Sequence, residues 1–288
     1  MQTAPSSSDS PRVALITGAA RGIGAAIARR LAADGWSLVL TDQLGHEKVL
    51  TYALPTQEEL ESVAAECGPD TMVYVADVRD QHEIDAVVRE GIEQFGHIDI
   101  AICNAGIVDF APLWEITEEQ WSDQVDINLS GVWRTAKAVA PHMIERLTGA
   151  MVFTSSNNGV EAGQNYAHYI AAKHGVIGLM RSAALELGPY NIRVNAVLPG
   201  PCDTIMNNNP VGWARIGGRP DATRDDYLAS VRNWQLLRNR TALNPSAIAN
   251  AMIWLVSDES SEVTGVELPV DAGHLILPGM NPSPIVDG

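Results

Sequence analysis

Along most of the chain, short runs in which nearly every residue is apolar alternate with longer stretches whose apolar residues recur at helical spacing. That alternation predicts repeated β-α-β units around a parallel sheet. Seven runs have strand length, at 13–17, 37–41, 72–76, 98–103, 150–154, 192–198 and 266–270. The run Val13-Ala14-Leu15-Ile16 has no polar side, as a strand covered by helices on both faces requires. Helix starts are written in the polar residues between the runs. Thr56 with Glu59, Asp80 with Glu83 and Thr117 with Gln120 have the spacing of a capping box, and Asn244 followed by Pro245 marks another start. Two stretches break the alternation. One is 43–70, longer than an ordinary strand-to-helix connection; the other is 200–243, rich in Asn, Gly, Pro and Trp. Long excursions in a compact domain are usually functional covers, so the first is expected to be an insertion and the second a lid.

Composition narrows the picture. The 288 residues, 46% of them apolar, suffice for one domain with a full core. A net charge of −16 with only 19 scattered basic residues disfavours nucleic acid as a partner, because a phosphate-binding face needs clustered Lys and Arg. Cys67, Cys103 and Cys202 are odd in number and widely spaced, which suits reduced thiols, and no His, Cys or acidic cluster has metal-ligand spacing. Residues 1–10 lack the basic start and apolar core of a secretory signal and are expected to form a flexible arm ahead of a single domain at 11–288. No run approaches the length of a bilayer span, so no membrane partner is expected and a cytoplasmic location is the default.

The first strand leads into Thr17-Gly18-Ala19-Ala20-Arg21-Gly22-Ile23-Gly24 and then an Ala-rich helix. Glycine permits positive φ and close backbone approach, while the helix N-terminus offers amide groups and a positive dipole to a pyrophosphate. Such a triplet can also be a plain tight turn. Its place between a first strand and a first helix favours dinucleotide binding, with contacts from Gly18, Arg21, Gly22, Ile23 and Gly24. Asp42 ends the second strand, where a carboxylate bonds the ribose hydroxyls of NAD and repels the 2′-phosphate of NADP. Arg21 argues the other way, but Asp42 decides for NAD(H). Asp77-Val78 follows the third strand and Asn104-Ala105-Gly106 the fourth, both on the carboxyl edge where open parallel sheets bind ligands.

Ser155 and Ser156 follow the fifth strand, and Tyr169 and Lys173 come later, four residues apart on one helix face. The ammonium is expected to pull the phenol pKa down, so that Tyr169 can take a proton from an alcohol as hydride leaves its carbon. By itself Tyr-x-x-x-Lys usually means packing and a solvated charge; with the glycine loop it points to chemistry. Asn128, inside a predicted helix, breaks a local propensity beside the candidate site. His168 and His174 lie off the Tyr169/Lys173 face and read as packing or surface residues.

With these residues in hand the sequence resembles the short-chain dehydrogenases/reductases from residue 11 to about 275. The resemblance rests on Thr17 to Gly24, Asp77, Asn104-Ala105-Gly106, Asn128, Ser156, Tyr169, Lys173 and Pro199-Gly200 with Thr204. It implies a Rossmann-type, doubly wound α/β fold with a seven-stranded parallel sheet in a single domain. It also implies a catalytic set in which Tyr169 is acid/base, Lys173 lowers its pKa and holds the nicotinamide ribose, Ser156 polarises the substrate oxygen, and Asn128 fixes a water relay. Pro199, Gly200 and Thr204 would lie against the nicotinamide. Substrate contacts are expected from Ser156, Asn157 and Tyr169, with Trp213 and Trp234 of the lid either anchoring an apolar ring or, with Tyr227, packing the lid onto the domain.

The segment Tyr52-Ala53-Leu54-Pro55-Thr56-Gln57-Glu58-Glu59-Leu60 resembles the insertion of an actinobacterial subgroup that includes carveol dehydrogenase and the mycofactocin-associated dehydrogenases. Membership implies oxidation of a secondary, often alicyclic or terpenoid alcohol, with NAD(H) held tightly. Helices at 117–146 and 164–188 pair across subunits in this family, so a homotetramer is expected. The competing readings are an NADPH-dependent ketoacyl-carrier-protein reductase, a non-catalytic dinucleotide-sensing regulator and, more distantly, an extended-type epimerase.

Overall fold

The computed structural model describes residues 11–45, 50, 52–277 and 279–280; the expected N-terminal arm lies outside them. In β1 (Val13–Thr17) every residue is buried. The two-residue period of the strand sends Val13 and Leu15 into one core and Ala14 and Ile16 into the other. The same division runs through β2 (Ser37–Asp42), β4 (Ile100–Cys103), β5 (Gly149–Thr154) and β6 (Ile192–Pro199), which explains why these segments read as unbroken apolar runs. With β3 (Thr71–Val75) and β7 (Glu267–Val270) they form one parallel sheet in the order β3-β2-β1-β4-β5-β6-β7. All seven predicted strands are present within two residues of their expected limits, and the sheet is the expected Rossmann-like α/β architecture.

Helices cover both faces. On one side lie α1 (Gly22–Ala33), α2 (Gln57–Cys67) and α9 (Pro245–Val256), burying Ile27, Leu31, Leu60 and Met252. On the other lie α3 (Gln81–Phe95), α5 (Gly131–Arg146) and α6 (Ala167–Leu187), burying Val87, Val139 and Met180. The chain winds from β1 out to β3, then returns to place β4 against the other side of β1. The strand order therefore reverses between β1 and β4, which opens a crevice at their carboxyl ends.

Local signals explain most helix starts. Thr56/Glu59 and Thr117/Gln120 form complete capping boxes, the latter opening α4 (Glu118–Val125). Asp80 forms only half of one. Its carboxylate accepts from the His82 and Glu83 amides, but Glu83 reaches past it to accept from the Asp77 amide at 2.7 Å. The predicted helix at 117–146 is interrupted by a π-turn, Asp126–Ser130, between α4 and α5. The predicted helix at 164–188 begins three residues late, because Asn165 adopts φ of 69°.

The two excursions resolve differently. Within 43–70, α2 is the ordinary crossover helix, so the added segment shrinks to 43–56. Within 200–243 the chain forms α7 (Pro210–Gly217) and α8 (Arg224–Arg232), and the excursion is closed at its neck. There the Leu243 amide donates to Pro201 O at 2.7 Å and Leu243 O accepts from the Asp203 amide at 2.9 Å. Cys67, Cys103 and Cys202 are free thiols, and among the described residues no helix is long and apolar enough to cross a membrane.

Candidate active site

The loops after β1 and β4 are fastened side by side. Thr17 Oγ1 accepts from the amides of Asn104 (3.0 Å) and Ala105 (3.1 Å), and Asn104 Nδ2 donates to Thr17 O (3.1 Å) and Gly18 O (3.2 Å). Gly18 sits at φ of 67°, and a Cβ there would come within 2.9 Å of Ala105 Cα. Only glycine meets both demands. The chain then enters α1, whose N-cap residue Arg21 makes no side-chain cap, leaving first-turn amides at Gly22 and Ile23 facing a cavity.

That cavity, of about 450 Å³, runs along the carboxyl edge of the sheet. At one end its wall holds Gly18, Arg21, Gly22, Ile23 and Asp42; in the middle, Asp77, Val78, Asn104, Ala105 and Gly106; at the other end, Ser156, Asn157, Tyr169, Lys173, Pro199, Gly200 and Thr204. Gly24 stands behind the wall, where a Cβ would collide with Gly18 O, so its part is to let α1 approach the loop. Asp42 accepts from the Ala20 amide at 2.9 Å, and burial pushes its carboxyl up to about 6. The Asp77 carboxylate is occupied by Arg79, at 2.7 Å. Arg21 is turned toward the inserted segment, donating to Ala53 O and lying 3.9 Å from Glu59. Helix amides without a side-chain cap and a strand-end carboxylate on the same end of the cavity fit a dinucleotide.

At the chemical end, Ser155 Oγ donates to Lys173 O at 2.9 Å and ties α6 to the end of β5. This brings Ser156, Tyr169 and Lys173 onto one wall. The Lys173 ammonium donates to Thr154 O at 2.8 Å and lies 5.7 Å from the Tyr169 ring centroid. Burial pushes Lys173 down to about 7 and Tyr169 up to about 12. The expected fall in the phenol pKa is therefore reversed in the protein alone. Desolvation of the phenolate outweighs the Ser156 hydrogen bond and the charge of Arg215, which pull the other way.

Asn128 does not reach the cavity. It is fully buried within the π-turn, its Oδ1 accepting from the Ile107 amide (3.1 Å) and its Nδ2 donating to Ile107 O and Gln124 O (both 3.0 Å). Widened turns of this kind leave carbonyls without their usual partners and recur at functional sites. Here the side chain supplies the partner and fixes the loop after β4. A Cβ on Gly106 would come within 2.8 Å of Asn128 Oδ1.

The lid residues divide. Trp234 lines the cavity, whereas Trp213 does not: its indole N–H is turned to Asn208 Oδ1 at 2.8 Å within the lid. Tyr227 is fully buried and packs the lid. Of the two histidines, His168 is buried and His174 exposed, neither on the wall. Sequence reasoning missed several wall residues, chiefly Phe110, Glu161, Tyr166, Arg215 and His274, along with Tyr52 as an individual contact. His274 bonds Glu161 at 3.0 Å and Trp234 O at 2.9 Å, joining three separate segments at the cavity. No local motif marks these residues, because they come from segments far apart in the chain: the loop after β4, the loop before α6, α7 and the turn after β7.

The sequence model of the family described as enoyl-(acyl carrier protein) reductase matches residues 18–274. A protein of Mycolicibacterium smegmatis that carries the name short-chain type dehydrogenase/reductase is 39% identical over 274 residues, covering 92% of this chain and 97% of its own. The chain belongs to the short-chain dehydrogenase/reductase family. It is accordingly an oxidoreductase of that family. The (-)-trans-carveol dehydrogenase of Rhodococcus erythropolis is 40% identical over 271 residues, 91% of this chain and 96% of that one. The crystal structure of carveol dehydrogenase from Mycobacterium avium in complex with NAD superposes with a TM-score of 0.89 at 42% identity, covering 93% of this chain and 99% of that one.

Proposed function

We propose that this member of the family is an NAD(H)-dependent dehydrogenase that interconverts a secondary alicyclic alcohol, of terpenoid character, and its ketone. The observation that carries the reading is a single cavity with uncapped helix amides and Asp42 at one end and Ser156, Tyr169 and Lys173 at the other. The likeness to carveol dehydrogenases supports the substrate class.

Bound NAD would supply the hydride acceptor and, in its oxidised form, a positive charge beside the phenol. Gly18, Gly22, Ile23 and Asp42 would hold its adenosine half, and Asn104 to Gly106, Lys173, Pro199, Gly200 and Thr204 its nicotinamide half. Ser156 donates to the substrate oxygen and fixes it against Tyr169. Tyr169 as phenolate accepts the hydroxyl proton as the carbonyl forms; in the reverse direction the phenol returns it. Lys173, held by Thr154 O, favours the phenolate once its ammonium is charged. Asn128 holds the loop after β4 in the shape that receives the nicotinamide side, and its role in a proton relay belongs to this same proposal.

The inserted segment supports slow cofactor exchange. Tyr52 accepts from the Val108 amide at 3.1 Å, Arg21 grips Ala53 O, and Leu54 and Pro55 complete the wall over the dinucleotide end. Protein that carries NAD(H) through gel filtration agrees with this; protein that elutes free of it and turns over with added NAD refutes it. Trp121, Trp133 and Leu185 are exposed on α4, α5 and α6, which supports the tetramer, and a light-scattering mass near one subunit would exclude it. The function itself is tested by a panel of alicyclic secondary alcohols with NAD, read by reduced-nicotinamide absorbance with an artificial electron acceptor in parallel. Faster reduction of a ketoacyl thioester with NADPH than oxidation of any alcohol would overturn it.

A further inference from the structure

The substrate end of the cavity holds a cation to which the proposed reaction assigns no ligand. Arg215, on α7, projects from the lid into the wall, with its guanidinium carbon 4.0 Å from the Phe110 ring centroid and 4.4 Å from that of Tyr166. Aromatic faces hold the plane of a guanidinium, but its N–H groups radiate from its edge and still need acceptors. No described carboxylate lies within ion-pair distance of it, and the three acidic residues on the cavity wall are committed elsewhere. Glu161 holds His274 at 3.0 Å, Asp77 holds Arg79 at 2.7 Å, and Asp42 accepts from the Ala20 amide at the far end. Burial pulls the guanidinium pKa down, and what pulls it back is a hydrogen bond to the Tyr166 side chain and the nearby oxygens of Tyr166 and Tyr169, with no carboxylate among them. A charge left this way beside the reacting group is costly unless an anion joins it.

We infer that the substrate is an alicyclic hydroxy acid whose carboxylate pairs with Arg215 while its secondary alcohol faces Tyr169. This rests on the dehydrogenase reading and narrows its substrate class. Phe110, Ile205, Met206 and Ile216 give the body of such a molecule an apolar wall between the two polar ends. The Tyr166 ring, 6.1 Å from that of Tyr169, places the cation one aromatic ring from the phenol, a separation suited to a small ring system. The carboxylate is a handle and is unchanged in the reaction. The alcohol loses a hydride to NAD and a proton to Tyr169, and a keto acid leaves.

The test compares hydroxycyclohexanecarboxylates, with the hydroxyl at each ring position, against the matching carboxamides, using wild type, Arg215→Met and Arg215→Lys. The acids are expected to exceed the amides in kcat/KM by about 30-fold or more in wild type, the usual cost of stranding one partner of a buried charge pair. Arg215→Met should level the two series, and Arg215→Lys should keep part of the preference. A readout without turnover uses cyclohexanecarboxylate and its amide as ligands of the NAD-loaded protein in thermal-shift titration; only the acid should stabilise wild type. Amides that match the acids in wild type, or a preference that survives in Arg215→Met, overturn the proposal. If no alcohol reacts, the dehydrogenase reading fails, and the ligand titration still decides the anion subsite. Should Arg215→Met fold poorly, the wild-type comparison and Arg215→Lys carry the test.

Discussion

Asn128→Ala separates a scaffolding role from a chemical one. The residue is fully buried, and its amide satisfies three main-chain groups: the N–H and C=O of Ile107 and the C=O of Gln124. Ile107 and Gln124 are themselves buried. Truncation strands all three, and a buried group left without a partner costs about 1–3 kcal/mol. With partial relief from water entering the vacated volume, the loss comes to about 3–6 kcal/mol, a large part of the roughly 5–15 kcal/mol that holds a domain folded. For a chain of this size that corresponds to a fall in Tm of roughly 6–24 °C. Scanning fluorimetry of the variant beside wild type reads it directly. Tyr169→Phe is the control, since it removes a hydroxyl from a cavity wall and should stay within about 1 kcal/mol of wild type. An Asn128→Ala protein that melts within 2 °C of wild type, by the same ~2–4 °C per kcal/mol scale, yet has lost activity would refute the argument, because the side chain would then matter to the reaction and not to the loop.

Other outcomes follow from the same geometry. Tyr169→Phe should lower kcat by about 10²- to 10⁴-fold while leaving NAD affinity near wild type, as loss of a general acid/base predicts; unchanged turnover would return the chain to the sensing reading. Burial raises Asp42 to about 6, so its ionised form, which accepts from ribose hydroxyls, predominates above that pH and is lost as pH falls through it. NAD affinity measured by fluorescence should therefore weaken below about pH 6, and Asp42→Asn should flatten that dependence. Tyr52→Phe removes the acceptor of the Val108 amide, worth about 1 kcal/mol. Stopped-flow displacement should then show NAD leaving about fivefold faster, and an unaltered rate would mean that the insertion does not govern release.

The sequence by itself determined the sheet and both ends of the cavity in outline. Strands buried on both faces must be apolar at every position, caps must be polar at fixed offsets, and a glycine loop must sit between its strand and its helix; each is a rule about neighbours in the chain. It also put Asp42 and Ser156 on one edge of the sheet, because parallel strands deliver their carboxyl ends there, and Tyr169 and Lys173 on one face of a helix. Some local signals pointed slightly wrong. Glu83 has the right offset from Asp80 but a better donor in the Asp77 amide, and Trp213 lies in the lid but finds its partner in Asn208. What only the tertiary structure decided is where distant segments converge and how much water they exclude. Phe110, Tyr166 and Arg215 come from three separate segments and form one bracket only when the lid folds over the edge. The phenol of Tyr169 is pushed up rather than down because desolvation depends on everything packed around it, whereas the four-residue spacing to Lys173 records only one neighbour.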